Sequence, residues 1–575
     1  MFITKSKKNL EIFFYLLVFI CFLLLAFKFY AGNHHSVYLH IWQHKLGIAD
    51  FEFDYFVQNN NHTKLSVLYD LFGYLKINLD NDYIGFFIYL IFVSISFIFS
   101  YKILRNNFKL DRTVILIILF SLIFTSDLII QANKVTWVTS HTATPTFFVH
   151  SLIPMFIWSL INKKIKILFF LSIFMLLSSI KTCWFLIGVG IMFSLIKFEK
   201  KDLVWLIGPV LGISYLILVS LDLNFDNNNR ELFFDTVIKR DLEEAAFHLQ
   251  KVTNLFFLII SFILYFFLMK SFKNDFLGSF LKILFWLSLI NFIFFYFYAL
   301  YGKNIYPEPR LLALSGTRAL GVYEYFFWIL ISVFIIKMNI LNFYKIILFS
   351  LIFYYSTKSL LAIILFSILA SCILIVFKYI QSKRLSRIFN LSEKGETIST
   401  TKGLIFFIIL VPGITYLMWS KVINTFDLYG LKTINKWTTG SLINDRERLQ
   451  NAIKLKKCED FLLLDIDHFF ITSSISGKSN FMGNLLFNHF HKELIEENDK
   501  RSKLVLNIKN NIENENFIDN EIIEILYLKE TVLITKNKNV KFFKNIEILP
   551  ISNNESLVIF FKKRNSNYLK RCLEI

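Results

Sequence analysis

The chain has 575 residues, of which 55% are hydrophobic and only 18% charged, with a mean hydropathy of +0.53. A soluble domain is excluded, because that much apolar surface exceeds what one core can bury. The net charge of +19 would suggest nucleic acid in a soluble protein, but here much of it sits in short loops between apolar runs. Topology therefore accounts for it, and no nucleic-acid partner is expected.

In chain order, the first apolar run, Phe13 to Phe27, follows Lys5, Lys7 and Lys8 and has no small-residue cleavage site. It reads as a retained signal-anchor helix. Runs of roughly spanning length then recur, giving about thirteen spans in all. They are Ile12–Tyr30, Ile84–Tyr101, Val114–Ile130, Phe147–Ile161, Ile167–Ile180, Phe185–Ile196, Leu203–Leu221, Leu255–Met269, Phe280–Leu300, Val322–Ile336, Ile346–Ser356, Leu360–Phe377 and Leu404–Trp419. Lys102, Arg105, Lys109 and Arg112 fall in one connecting loop, Lys163, Lys164 and Lys166 in another. Lys197, Lys200 and Lys201 come two spans later, and Lys383, Arg384 and Arg387 in the last even-numbered loop. All these lie on the side of the N-terminus, which the positive-inside rule makes cytoplasmic; an odd number of spans sends the tail outside.

The longer loops then face outward, as does the tail from about residue 421, where hydropathy collapses and Asn, Lys and Glu accumulate. In the tail FLLLDID (Phe461–Asp467), TVLIT (Thr531–Thr535) and SLVIFF (Ser556–Phe561) read as strands. The expected fold class is an α-helical polytopic membrane protein, residues 1–420, followed by a small α/β extracytoplasmic domain, residues 421–575. The five cysteines form no CxxC pair, which argues against a structural metal or a disulfide framework. Cys458 and Cys572 could pair within the tail, but the balance is against it.

The first outer loop holds GIADFEFDYF, Gly47 to Phe56, with Asp50, Glu52 and Asp54 alternating among aromatic residues. In an extended stretch all three acids share one face. An acid beside water-excluding aromatics can have a raised pKa and take a proton from a hydroxyl; the plainer reading is a solvated loop face. The following LSVLYDLFGYL has helical spacing suited to lying along a membrane surface. Asp127, His150, Lys181, His248, Arg310, Arg318, Glu324 and Lys358 stand near or within spans, each toward the outer end by this topology. Charges at that depth usually face a cavity or pair with one another. A polyprenyl-phosphate sugar would use such a cavity: a carboxylate activates the incoming hydroxyl while Arg or Lys neutralises the departing phosphate.

The order of parts resembles the GT-C superfamily of membrane glycosyltransferases. The segments that carry the likeness are IADFEFDYF, TSHTATPTFFVHSLIP, RDLEEAAFHLQKVTN and LLALSGTRALGVYEYFFWIL. The resemblance implies an inverting transfer from a polyprenyl-phosphate donor to a glycan, lipid or protein acceptor, on the outer face of a bacterial cytoplasmic membrane. It implies Asp54 as catalytic base, with Asp50 in reserve. It implies Arg318, Arg310, His248 and Lys181 as ligands of the donor phosphate, and Glu244 and His141 near the substrate. Some members use a divalent cation; no His/Asp spacing here forces one. The alternatives are an O-antigen polymerase or ligase, and a lipid-linked glycan transporter or flippase; the second should show repeated halves, and none is visible. LLLDIDHF, with Asp465 and Asp467, mimics a nucleotide-sugar motif but reads better as a strand ending in a polar turn.

Overall fold

A computed structural model describes residues 82–110, 145–221, 252–269, 276–308, 316–337, 457–465, 478–481, 492–514, 517–536, 541–542, 547–550 and 555–560, with isolated positions between them. The described part is mostly helical, with one small sheet region. The helices are α1 (Asp82–Lys102), α2 (Pro145–Ile161), α3 (Ile165–Lys197), α4 (Ile207–Leu221), α5 (Val252–Met269), α6 (Phe276–Ile305), the short α7 (Gly316–Ala319) and α8 (Gly321–Lys337). Among the described residues, three stretches are long and apolar enough to cross a membrane: Ile165–Lys197, Lys200–Leu218 and Phe276–Ile305. Exposed Phe170, Leu195, Val210, Leu218, Phe267, Trp286 and Phe297 give these helices greasy outer faces, as lipid requires and water penalises.

The run read as two spans, Ile167–Ile180 and Phe185–Ile196, is continuous helix apart from a single extended residue, Ser179 (φ −162°, ψ 94°). Helix runs through 181–184, where a connecting loop was expected. A straight helix of 33 residues would hold its ends about 50 Å apart. Instead the Lys163 ammonium lies 5.6 Å from the Phe198 ring and 3.7 Å from Asp202. The chain therefore doubles back at Ser179, with arms 165–178 and 180–197 side by side. Serine suits the bend because its hydroxyl satisfies backbone or cap partners outside a helix. Here Ser179 Oγ meets Thr182 Oγ1 at 3.0 Å, and its carbonyl accepts from Cys183 Sγ at 3.3 Å.

The same contacts gather the basic loops. Lys163 also lies over Phe276 at the start of α6, at 5.1 Å. Lys102, at the end of α1, lies 5.0 Å from the Trp158 ring near the end of α2. The loops after α1, after α2 and after the second arm of α3 thus share one end of the bundle, as their charge led us to expect. The α3 bend is at the opposite, far end. Small residues permit the closest helix approach: α4 carries Gly208 and Gly212, four apart, over Phe169, Ser172 and Leu176 of the first α3 arm. In the bundle core Tyr323 stacks on Phe262 and Tyr265, with centroids 4.6 and 5.0 Å away, and its hydroxyl meets Ser261 Oγ at 3.0 Å. Tyr325 donates to Ser100 Oγ at 2.9 Å, which ties α8 to α1.

The tail contains β1 (Leu462–Asp465), β2 (Ser479–Asn480), α9 (Lys492–Glu513), β3 (Phe517–Ile518), α10 (Asn520–Leu528), β4 (Thr531–Lys536), β5 (Lys541–Phe542), β6 (Glu547–Pro550) and β7 (Glu555–Phe560). The three expected strands correspond to β1, β4 and β7. Five strands form a mixed sheet in the order β2-β1-β4-β7-β6, with β1 parallel to β2 and β4, and β7 antiparallel to β4 and β6. Side chains alternate across it. Leu464, Leu533, Val558 and Phe560 pack under α9 and α10, while Leu463, Val532, Ile534, Leu557 and Ile559 face Leu455, Cys458 and Leu569. Cys458 is disulfide-bonded, contrary to the balance of the sequence argument; Cys183 is free and buried in α3.

One ion cluster pins α9. Glu497 accepts from Arg501 Nε at 2.7 Å and from Lys529 at 2.8 Å, while Arg501 also donates to the Phe481 carbonyl at 2.7 Å. Burial pushes the Glu497 carboxyl up, but the hydrogen bonds and charges of Lys529 and Arg501 outweigh it and hold it below the usual carboxylate value. A depressed folded pKa contributes stability that is complete above the unfolded value of about 4.3 and lost as pH falls through the folded one. The urea concentration at which β4 amides lose exchange protection should therefore fall as pH drops from about 5 to about 3. Glu497→Gln should flatten that dependence.

Candidate functional site

After Ile305 the chain does not simply leave the bundle. Tyr298 of α6 accepts from the Glu308 amide at 2.9 Å and donates to the Tyr306 carbonyl at 2.9 Å, which turns the chain back toward α6. Asn291 then donates to the Gly316 carbonyl at 2.8 Å, and Trp184 Nε1 donates to the Leu314 carbonyl at 3.0 Å. Asn291 stands about 20 Å along α6 from Phe276, with about another 20 Å of helix beyond it. The segment 314–319 therefore re-enters the bundle between α3 and α6, and α7 packs on both. Irregular backbone at such depth persists only where protein groups satisfy its carbonyls or where it lines a cavity. Asn291 and Trp184 provide the first condition.

Close approach is built in at Gly316: a β-carbon there would lie 2.2 Å from Phe295 Cγ. Phe295 is buried and touches Trp184, with ring centroids 6.0 Å apart. So α7 sits on an aromatic floor beside the α3 bend. Arg318 belongs to α7. Lys181 is half-buried two residues past Ser179, in the first turn of the second α3 arm. Two of the sequence-derived phosphate ligands thus stand on elements that the fold packs together, at the end of the bundle away from the basic loops. Glu324 is buried in the first turn of α8, where the helix N-terminus favours an acid. His150 is buried in α2.

Further polar groups stand beyond Tyr298 along α6. Lys303 pairs with Asp235 at 2.6 Å, and Arg230 donates to the Tyr306 hydroxyl at 2.6 Å while lying 5.2 Å from its ring. The segment containing Arg230 and Asp235 is thereby fastened beside the turn that leads into α7. Asp50, Asp54, His141, Glu244, His248 and Arg310 lie outside the described residues, as does Asp467. Asp465 ends β1 and is buried, a strand terminus as expected. Among the described residues no three His, Cys, Asp or Glu side chains are grouped to hold a metal ion.

Trp184, Asn291 and Gly316 were not among the residues expected at the site. Each carried a signal: an indole three residues past Lys181, an amide in the middle of an apolar run, and a glycine two residues before Arg318. No family model matches the chain, and no curated protein or solved structure matches it either.

Proposed function

We propose that the protein is a membrane glycosyltransferase of the GT-C kind. It moves a sugar from a polyprenyl-phosphate donor to an acceptor hydroxyl at the outer face of the cytoplasmic membrane, with inversion. Asp54 acts as base on the acceptor, with Asp50 in reserve. Arg318 neutralises the departing phosphate, helped by Arg310, His248 and Lys181, while Glu244 and His141 contact substrate. About thirteen spans, a cytoplasmic N-terminus and an outer tail belong to the same reading.

The observation that carries it is the re-entry of 314–319 against the α3 bend, because it brings the Arg318-bearing helix to the Lys181-bearing arm. Two cationic residues on helices that pack together suit a lipid-borne phosphate at the interface. No nucleotide is needed, since the donor's own lipid holds it in the bilayer.

The test is transfer in membranes supplied with a polyprenyl-phosphate sugar. Asp54→Asn should reduce the rate by about 10²–10⁴-fold, the usual contribution of a positioned base, with expression unchanged. Arg318→Gln should also impair transfer, and Arg318→Lys should restore part of it. Full activity in an Asp50→Asn/Asp54→Asn double variant would sink the acid–base scheme.

A further inference from the structure

We infer that Cys458 is bonded to Cys572, and that this disulfide closes the tail domain over its second sheet face in an oxidising compartment. Cys458 is disulfide-bonded and buried, so one of four other cysteines must be its partner. Cys183 is free. Cys21 and Cys372 stand within the apolar runs Ile12–Tyr30 and Leu360–Phe377, and a thiol embedded in a span is out of reach of a polar domain's core. Cys572 is left.

Position agrees with elimination. Leu569, three residues before Cys572, is fully buried in the same apolar cluster as Cys458, together with Leu455, Leu463, Val532 and Ile559. Three residues of chain reach about 10 Å at most, so Cys572 is tethered within that distance of the cluster that holds Cys458. The other sheet face is covered by α9 and α10. This one is covered by Leu455 and Cys458, which precede β1 in the chain, and by Leu569, which follows β7. A covalent link between them supplies that closure.

Formation releases two protons and two electrons from the two thiols. Thiol–disulfide exchange passes them to the disulfide of a dedicated oxidoreductase, which leaves as the dithiol. The cytosol would keep both cysteines reduced, so the bond also fixes which side of the membrane the tail occupies. None of this depends on the chemistry proposed for Asp54 and Arg318.

The experiment uses full-length protein from living cells, lysed into denaturant with N-ethylmaleimide and no reductant, then digested for mass spectrometry. The expected result is a linked peptide pair carrying Cys458 and Cys572, lighter by two hydrogens than the two thiol peptides and separated by dithiothreitol. Cys183 should be alkylated. Maleimide on both Cys458 and Cys572 would overturn the proposal, and so would Cys458 linked to any other cysteine. As a second readout, Cys572→Ser should make Cys458 alkylatable and lower the tail's thermal midpoint by about 10 °C or more.

Discussion

Replacing Gly316 with alanine is expected to expel α7 from the bundle. The new methyl would meet Phe295 at Cγ, Cδ2 and Cβ, at 2.2, 2.3 and 2.8 Å. Rotating the ring cannot relieve the last contact, because Cβ is fixed to the α6 backbone. The short helix must move instead, and the bonds from Asn291 and Trp184 to the Gly316 and Leu314 carbonyls are broken or stretched. Overpacking typically costs about 1–3 kcal/mol, and each freed carbonyl in a dry site adds about 1 kcal/mol. We therefore expect a loss of about 3 kcal/mol in stability, measured by thermal aggregation in detergent. If the proposed function holds, donor affinity should fall as well, since Arg318 moves with its helix. Phe295→Ala removes two of the three close atoms and should restore part of both.

Gly208→Leu should separate α4 from the first arm of α3. A β-carbon at 208 already meets the Phe169 carbonyl oxygen at 2.6 Å and Ser172 Oγ at 2.5 Å, and that hydroxyl donates to the same carbonyl at 2.9 Å. Backbone oxygen cannot yield as a flexible side chain can. Gly212 repeats the close approach one turn later, over Leu176 Cδ1 at 2.8 Å. With lipid on one side and no hydrophobic drive between helices, contact of this kind is much of what holds them together. A cost of about 2–4 kcal/mol is expected, read as lower monodisperse yield and a lower thermal midpoint. Gly188→Leu is the contrasting variant: a β-carbon there meets nothing within 4 Å, and the effect should be small.

Much of the helical framework was legible because apolar runs end where lysines begin. The runs Ile84–Tyr101 and Val322–Ile336 match α1 (Asp82–Lys102) and α8 (Gly321–Lys337) closely. Basic residues predicted which loops share an end, since the cost of charge in lipid acts loop by loop. Short continuous apolar runs exposed β4 and β7, which bury side chains on both faces of the sheet. The bend at Ser179 was assigned to the wrong residues because Lys181 looks like a loop residue, and only the packing of both arms shows that helix continues through it. The re-entry at 314–319 was hidden for a similar reason. Its stability comes from Asn291 and Trp184, distant in sequence, while its own residues read as an ordinary outer turn. For the site, sequence supplied Arg318 and Lys181 as candidates; tertiary contact alone supplied their neighbourhood.

The tail sheet has a consequence for synthesis. Its central strand, β4, takes β1 on one edge and β7 on the other, and β7 ends only at Phe560. Pairing between such distant segments carries a large loop-closure entropy and is slow. The full sheet cannot form before Phe560 has been made, so β1 and β4 wait during synthesis with the β7 edge of β4 unpaired.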